Sequence, residues 1–263
     1  MEHRSSSRRP GTHAPSPRVL TQLLVIGALA AGAFALACSS DSTAPVVEEV
    51  DGPPVTVGSG TAHAFVTMRG SEPTTVGIAM TDAAFNGLPT TMAEFQLPLP
   101  SNVSAAPFDH ATLNWNPQGH PPPTIYGVPH FDFHFYTISV AAQEAIQGGL
   151  DTTTVPSQYV PQDYVSELEA VPMMGVHWND SLAAEWHGQP FDKTLIYGFT
   201  HGQLDFIEPM VTTAYLQTHP DITEPIKQPA SFQAPGAYPT TYSIRYDAAH
   251  GLTRITLDSL TQR

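Results

Sequence analysis

Between Pro129 and Tyr136 the chain reads Pro-His-Phe-Asp-Phe-His-Phe-Tyr, which sets His130, Asp132, His134 and Tyr136 at every second position, with Phe131, Phe133 and Phe135 between them. Period two is the signature of a β-strand, so the groups able to bind a metal or move a proton share one face and the phenyl rings share the other. Imidazole and carboxylate are donors that divalent transition ions take. Two further segments carry the same chemistry. Met174-Gly175-Val176-His177-Trp178 places a histidine just ahead of an expected helix start, and Asp205-Phe206-Ile207-Glu208-Pro209-Met210 carries a glutamate whose following proline holds it toward extended backbone. Seven of the twelve histidines fall between His110 and His201.

Spacing limits which of these can share an ion. On a straight strand the Cα atoms of His130 and His134 are about 13 Å apart at a rise of about 3.3 Å per residue, a long reach for donors held at about 2.1 Å from one metal. Asp132 is about 6.6 Å from either histidine and pairs with each comfortably. The expected constellation is therefore His134 with Asp132 or His130, joined by His177, with Glu208 as a fourth ligand or general base. Zinc, manganese, iron and copper all suit such donors. Asp132 hydrogen-bonded between two histidines would also make a purely structural polar cluster, because a buried carboxylate needs partners whatever it does. His120, in Gly119-His120-Pro121-Pro122-Pro123, stays outside the expected set, and His187, His201, His219 and His250 are read as structural.

The elements that would position these residues are mostly strands. Thr61–Met68 and Thr74–Met80 read as a pair about a turn, Thr112–Trp115, Pro129–Ser139, Thr194–Phe199 and Leu204–Ile207 as further strands, and Thr241–Tyr246 with Thr253–Leu257 as a closing hairpin. Helix is sparse: Val140–Gln147 before Gly148-Gly149, Ser181–Trp186 after Asp180, and Val211–Gln217. The expected fold is mainly β, an antiparallel sandwich or barrel-like domain with a few short peripheral helices.

The N-terminus carries an address. Arg4, Arg8, Arg9 and Arg18 form a basic stretch, Leu20–Ala37 an apolar one, and Cys38, the only cysteine, follows small residues. The pattern resembles a bacterial lipoprotein signal, which implies a signal peptide over 1–37, lipidation of Cys38 and membrane attachment on the periplasmic or cell-surface side. Residues 38–55, rich in Ser, Pro and acid, are read as a disordered tether, and 56–263 as a single β-rich domain. From Cys38 onward six cationic and 23 acidic side chains remain, a net charge of −17. Such a surface repels nucleic acid and anionic lipid. Lys193 and Lys227 are the only lysines, and no nucleophile elbow or dinucleotide fingerprint is present.

Asn116-Pro117-Gln118-Gly119-His120-Pro121, the His130–Tyr136 strand, Met174–Trp178, Ile196-Tyr197-Gly198 and Phe206–Met210 together resemble an uncharacterised Thermus hypothetical-protein family, the TTHB210-like domain. The resemblance implies domain boundaries and the importance of these positions, and no reaction. The residues themselves point first to an extracytoplasmic binding module for a transition metal or small ligand. The alternatives are a metal-dependent hydrolase or lyase using metal-activated water and a structural or assembly component. Homo-oligomerisation is left open.

Overall fold

The computed structural model describes residues 45–263, and the chain enters its first sheet almost at once. The expected signal over 1–37, the Leu20–Ala37 apolar stretch and Cys38 lie outside the described residues. β1 (Val47–Asp51), β2 (Val55–Val57), β3 (Gly60–Arg69) and β4 (Glu72–Thr81) begin one sheet. β5 (Ala93–Pro98), β6 (His110–Asn116), β7 (His130–Tyr136), β8 (Gly149–Leu150), β9 (Tyr164–Val171), β10 (Gly175–Asp180), β11 (Lys193–Thr200) and β12 (Gln203–Thr212) build the second, in spatial order β5-β6-β7-β12-β11-β10-β9-β8. The chain then returns through β13 (Asp221–Pro225), β14 (Ala237–Tyr238), β15 (Thr241–Asp247), β16 (Leu252–Asp258) and β17 (Thr261–Gln262). The first sheet runs β1-β3-β4-β16-β15-β13 with β2 also on β3, while β14 and β17 pair with each other. The ladders are antiparallel, and neither large sheet closes into a barrel.

The two large sheets share one apolar core. Leu113, Phe131, Phe133, Phe135 and Ile207 of the second sheet cluster with Val66, Ile78, Ile255 and Leu257 of the first. Each such side chain contributes roughly 1.5–3 kcal/mol on leaving water, so the phenyl face of β7 anchors the strand. A simple sandwich would leave the other face in solvent. Here a smaller cluster of Tyr126, Tyr136, Phe191, Ile196, Phe206 and Met210 covers it, and all seven residues of β7 are buried.

Differences from the sequence reading have local causes in three places. β1 falls inside the expected tether, pairing Val47–Asp51 with Arg69–Phe65 of β3, so the chain is folded well before residue 56. It is an edge strand that buries almost nothing, and its acidic composition therefore reads as a linker; Glu49 pairs with Arg254 instead of packing. Ser181–Trp186 is not a helix: Asp180 ends β10, its carboxylate accepts the Leu182 N–H at 3.0 Å, and only a 3-10 turn forms at Ala184–His187. Of the other two helices, α2 (Val140–Ala145) is capped by Ser139 and stops before the glycines, and α3 (Thr213–Leu216) starts late because the β-branched Val211 and Thr212 stay in β12. α1 (Pro123–Tyr126) was not anticipated.

Candidate metal centre

The outer face of the second sheet gathers the polar side chains by register. β6 sets His110, Thr112, Asn114 and Asn116 opposite Tyr136, His134, Asp132 and His130 of β7. On the other side β12 pairs Phe206 with Tyr136, Met210 with Asp132 and Thr212 with His130, and the ladder skips Glu208 and Pro209. Proline has no N–H to donate to a neighbouring strand, so the gap falls where Glu208 comes level with His134. Next in line is Gly198, which pairs with Phe206 on one side and His177 on the other. A Cβ on Gly198 would stand 2.1 Å from the Phe206 ring; its absence lets that ring lie across β11, 4.7 Å from the His134 ring and 5.4 Å from the His177 ring. His177 therefore sits within a strand, not ahead of a helix. Opposite it β9 bulges, carrying Glu167, Leu168 and Glu169 between the Ser166–Trp178 and Ala170–Val176 pairs, with Leu168 at φ 62°.

The single constellation expected from the sequence divides into two groups of identical composition, each with two imidazoles and one carboxylate whose donor atoms all lie within 4.8 Å of one another. In the first, Glu208 Oε1 is 3.4 Å from His134 Nε2, and Glu208 Oε2 is 3.6 Å from His177 Nε2. In the second, Asp132 Oδ1 is 3.1 Å from His130 Nε2, and Asp132 Oδ2 is 3.9 Å from His120 Nε2. Asp132 thus joins His130, not His134, and the straight-strand argument that separates His130 from His134 holds. Unsatisfied atoms concentrate here: both ring nitrogens of His134, Nδ1 of His177, Oε2 of Glu208, Nε2 of His130 and Oδ1 of Asp132 are buried with no hydrogen-bond partner among the described residues. Native interiors seldom leave such groups unpaired.

Burial sets the charges. It pushes the His134 imidazole down to about 3 and that of His177 down to about 4, so both are neutral lone-pair donors near neutral pH. Burial, reinforced by the charges of Asp132 and Glu167, holds the Glu208 carboxyl well above the ordinary range. For Asp132 burial acts in the same upward sense, but the neighbouring His130, His120 and His134 outweigh it and leave the carboxyl lowered. These buried His, Asp and Glu groups could hold a metal ion: a cation between the donors would favour the ionised carboxylates and engage an imidazole lone pair.

Both groups reach one cavity of about 450 Å³, lined among others by His120, Asp132, His177, Tyr126, Met174 and Glu167. Glu167 accepts the Asn179 amide at 2.7 Å, and burial raises its carboxyl. The Tyr126 hydroxyl donates to the other end of Asn179 at 3.3 Å.

Residues 71–115 match the family model described as TTHB210-like: Hypothetical protein TTHB210. The chain resembles that family. No curated protein and no solved structure matches it. The matched stretch runs from the β3–β4 turn through most of β6, which lines up His110, Thr112 and Asn114 beside β7; it ends before Asn116, where the segments that carry the resemblance begin.

All five residues picked from the sequence lie on this face, in two groups. Sequence reasoning missed His120, Asn116 and Glu167. For Asn116 a signal existed: His110, Thr112, Asn114 and Asn116 alternate with apolar residues in the strand before β7. Of the histidines read as structural, His219 stacks 3.7 Å from Tyr246 and His250 pairs with Asp247 at 2.7 Å.

Proposed function

We propose that this protein is an exported, lipid-anchored binding protein that holds a divalent transition metal between His134, His177 and Glu208. The supporting observation is the convergence of three buried side chains, among which both ring nitrogens of His134, Nδ1 of His177 and Oε2 of Glu208 have no hydrogen-bond partner. Two donors each about 2.1 Å from one ion stand about 3.4 Å apart at a tetrahedral angle, and the observed 3.4 and 3.6 Å separations match that spacing. The acidic exterior favours cations over anions. The anchor is Cys38 and the compartment extracytoplasmic, on the strength of the N-terminal sequence pattern.

The test is elemental analysis of the full chain, purified without chelators and offered zinc, manganese, iron or copper. Stoichiometric metal in the wild type, with one equivalent lost from His134→Ala and from His177→Ala, is the expected result; wild-type protein that retains none refutes the site. For the anchor, the N-terminal fragment of membrane-extracted protein is expected to carry the mass of acyl chains on Cys38, and an unmodified Cys38 refutes it.

A second reading, a metal-dependent hydrolase or lyase, is favoured by one observation: three protein donors leave coordination positions open toward a cavity that holds a spare carboxylate, Glu167. A metal lowers the pKa of bound water to about 7, and a carboxylate with a raised pKa is suited to receive the proton. In that case Glu167→Gln keeps the metal and loses turnover of a hydrolysable substrate.

A further inference from the structure

We propose that His120, His130 and Asp132 hold a second divalent transition ion, beside the first on the same sheet face, so that the cavity is a two-ion centre. The orientation of the rings carries the argument. The Nδ1–H of His130 donates to the Val128 carbonyl at 2.7 Å, and that of His120 to the Pro121 carbonyl at 2.8 Å. A carbonyl can only accept, so both rings have their protons committed to the backbone and turn Nε2 toward Asp132. Anchoring the far nitrogen on a carbonyl is how proteins aim a ligating histidine.

The carboxylate is aimed as well. Asn116 donates to Asp132 Oδ2 at 2.7 Å, which leaves Oδ1 buried and unpartnered facing His130. A plain ion pair does not account for this arrangement. His130 Nε2 and Asp132 Oδ1 are 3.1 Å apart yet misaligned for a hydrogen bond, and His120 Nε2, at 3.9 Å, is beyond one. With their Nδ1 protons committed to the backbone, both rings present Nε2 to Asp132, and one cation among the three would engage all of them. Separations of 3.1 and 3.9 Å bracket the spacing of about 3.4 Å expected of neighbouring donors about 2.1 Å from an ion.

The two positions are neighbours because Asp132 and His134 alternate on β7, about 6.6 Å apart at Cα. The ligand set, two imidazoles and one carboxylate, is the same at both, and His120 and Asp132 of one group and His177 of the other line the same cavity. Each ion would therefore face that shared space.

The test is zinc uptake by the full chain, stripped with chelator, dialysed and titrated, with bound metal counted by elemental analysis. The wild type is expected to take two equivalents. His120→Ala, which truncates a part-exposed ring, and Asp132→Asn, which keeps the bond from Asn116, are each expected to keep one; His177→Ala also keeps one, and His120→Ala combined with His177→Ala keeps none. A wild type that saturates at one equivalent, retained by Asp132→Asn and His120→Ala but lost from His177→Ala, overturns the second ion while leaving the first. One equivalent lost from Asp132→Asn and retained by His177→Ala supports the site proposed here and overturns the first instead. No uptake overturns both. Unchanged circular dichroism of His120→Ala secures the comparison should Asp132→Asn fold poorly.

Discussion

At the scale of single residues, Asp205 illustrates how burial without a partner becomes a pH effect. Its Oδ2 is buried and unpaired, and burial, helped by the charge of Asp151 against the opposing Thr200 hydroxyl, pushes the carboxyl up to about 7 from an ordinary 3.8. The folded state thus keeps a proton that the unfolded chain has already lost. Stability is expected to fall as pH rises from about 4 to about 7 and then to level off, by up to a few kcal/mol at about 1.4 kcal/mol per pH unit. Asp205→Asn should flatten that slope in urea melts across the same range, and an unchanged slope would refute the assignment. At the centre, an ion bound at 100 times its dissociation constant adds about 2.7 kcal/mol. Removing it with chelator is expected to lower the melting temperature by about 5–10 °C for a chain of this size, a shift read by calorimetry and smaller in His134→Ala.

At the scale of elements, the geometry rests on what β11 and β12 lack. Pro209 interrupts the β7–β12 ladder beside His134, and Gly198 clears room for the Phe206 ring against both histidines of the first group. Gly198→Ala is expected to force that ring aside and cost about 1–3 kcal/mol through overpacking, with weaker metal uptake although no donor is touched. Denaturant melts and a metal titration check the two effects, and a fully stable variant with wild-type uptake would show the wedge to be dispensable. The alternation of β7 and the β3–β4 and β15–β16 hairpins were legible in the sequence because a two-residue period and a turn are local patterns. The bulge in β9 was not, since Leu168 at positive φ leaves no mark in composition. The strand around His177 is not legible for a similar reason: Asp180 next to Ser181 reads as a helix cap, but its carboxylate closes a turn after a strand.

At the scale of the whole molecule, the first sheet begins earlier than composition indicates. Removing residues 45–55 deletes the β1 ladder on β3, the Gly52 N–H bond to Ala64 at 2.7 Å and the Glu49–Arg254 pair. Thermal melts are expected to show a loss of at least about 1 kcal/mol, or about 2–4 °C; an unaltered midpoint would return these residues to the role of a tether. The covered outer face is the other global feature. A two-layer sandwich has one core, yet here Tyr126, Phe191 and their neighbours roof the far side of the second sheet and turn what would be a wet polar face into a buried one. That roof makes neutral histidines and an unpaired glutamate costly without an ion.

By itself the sequence determined that the chain is mainly β, that β7 has one phenyl face and one donor face, and that His130, Asp132, His134, His177 and Glu208 are the groups to watch, because side-chain period and residue chemistry are properties of short stretches. Only the tertiary structure decided how those donors are shared. Which carboxylate meets which histidine depends on register between strands far apart in sequence: Asp132 is taken by His130 and His120, and Glu208 by His134 and His177. Register is set by the packing of both sheet faces and by a proline, a glycine and a bulge acting across strands, none of which a local pattern can encode.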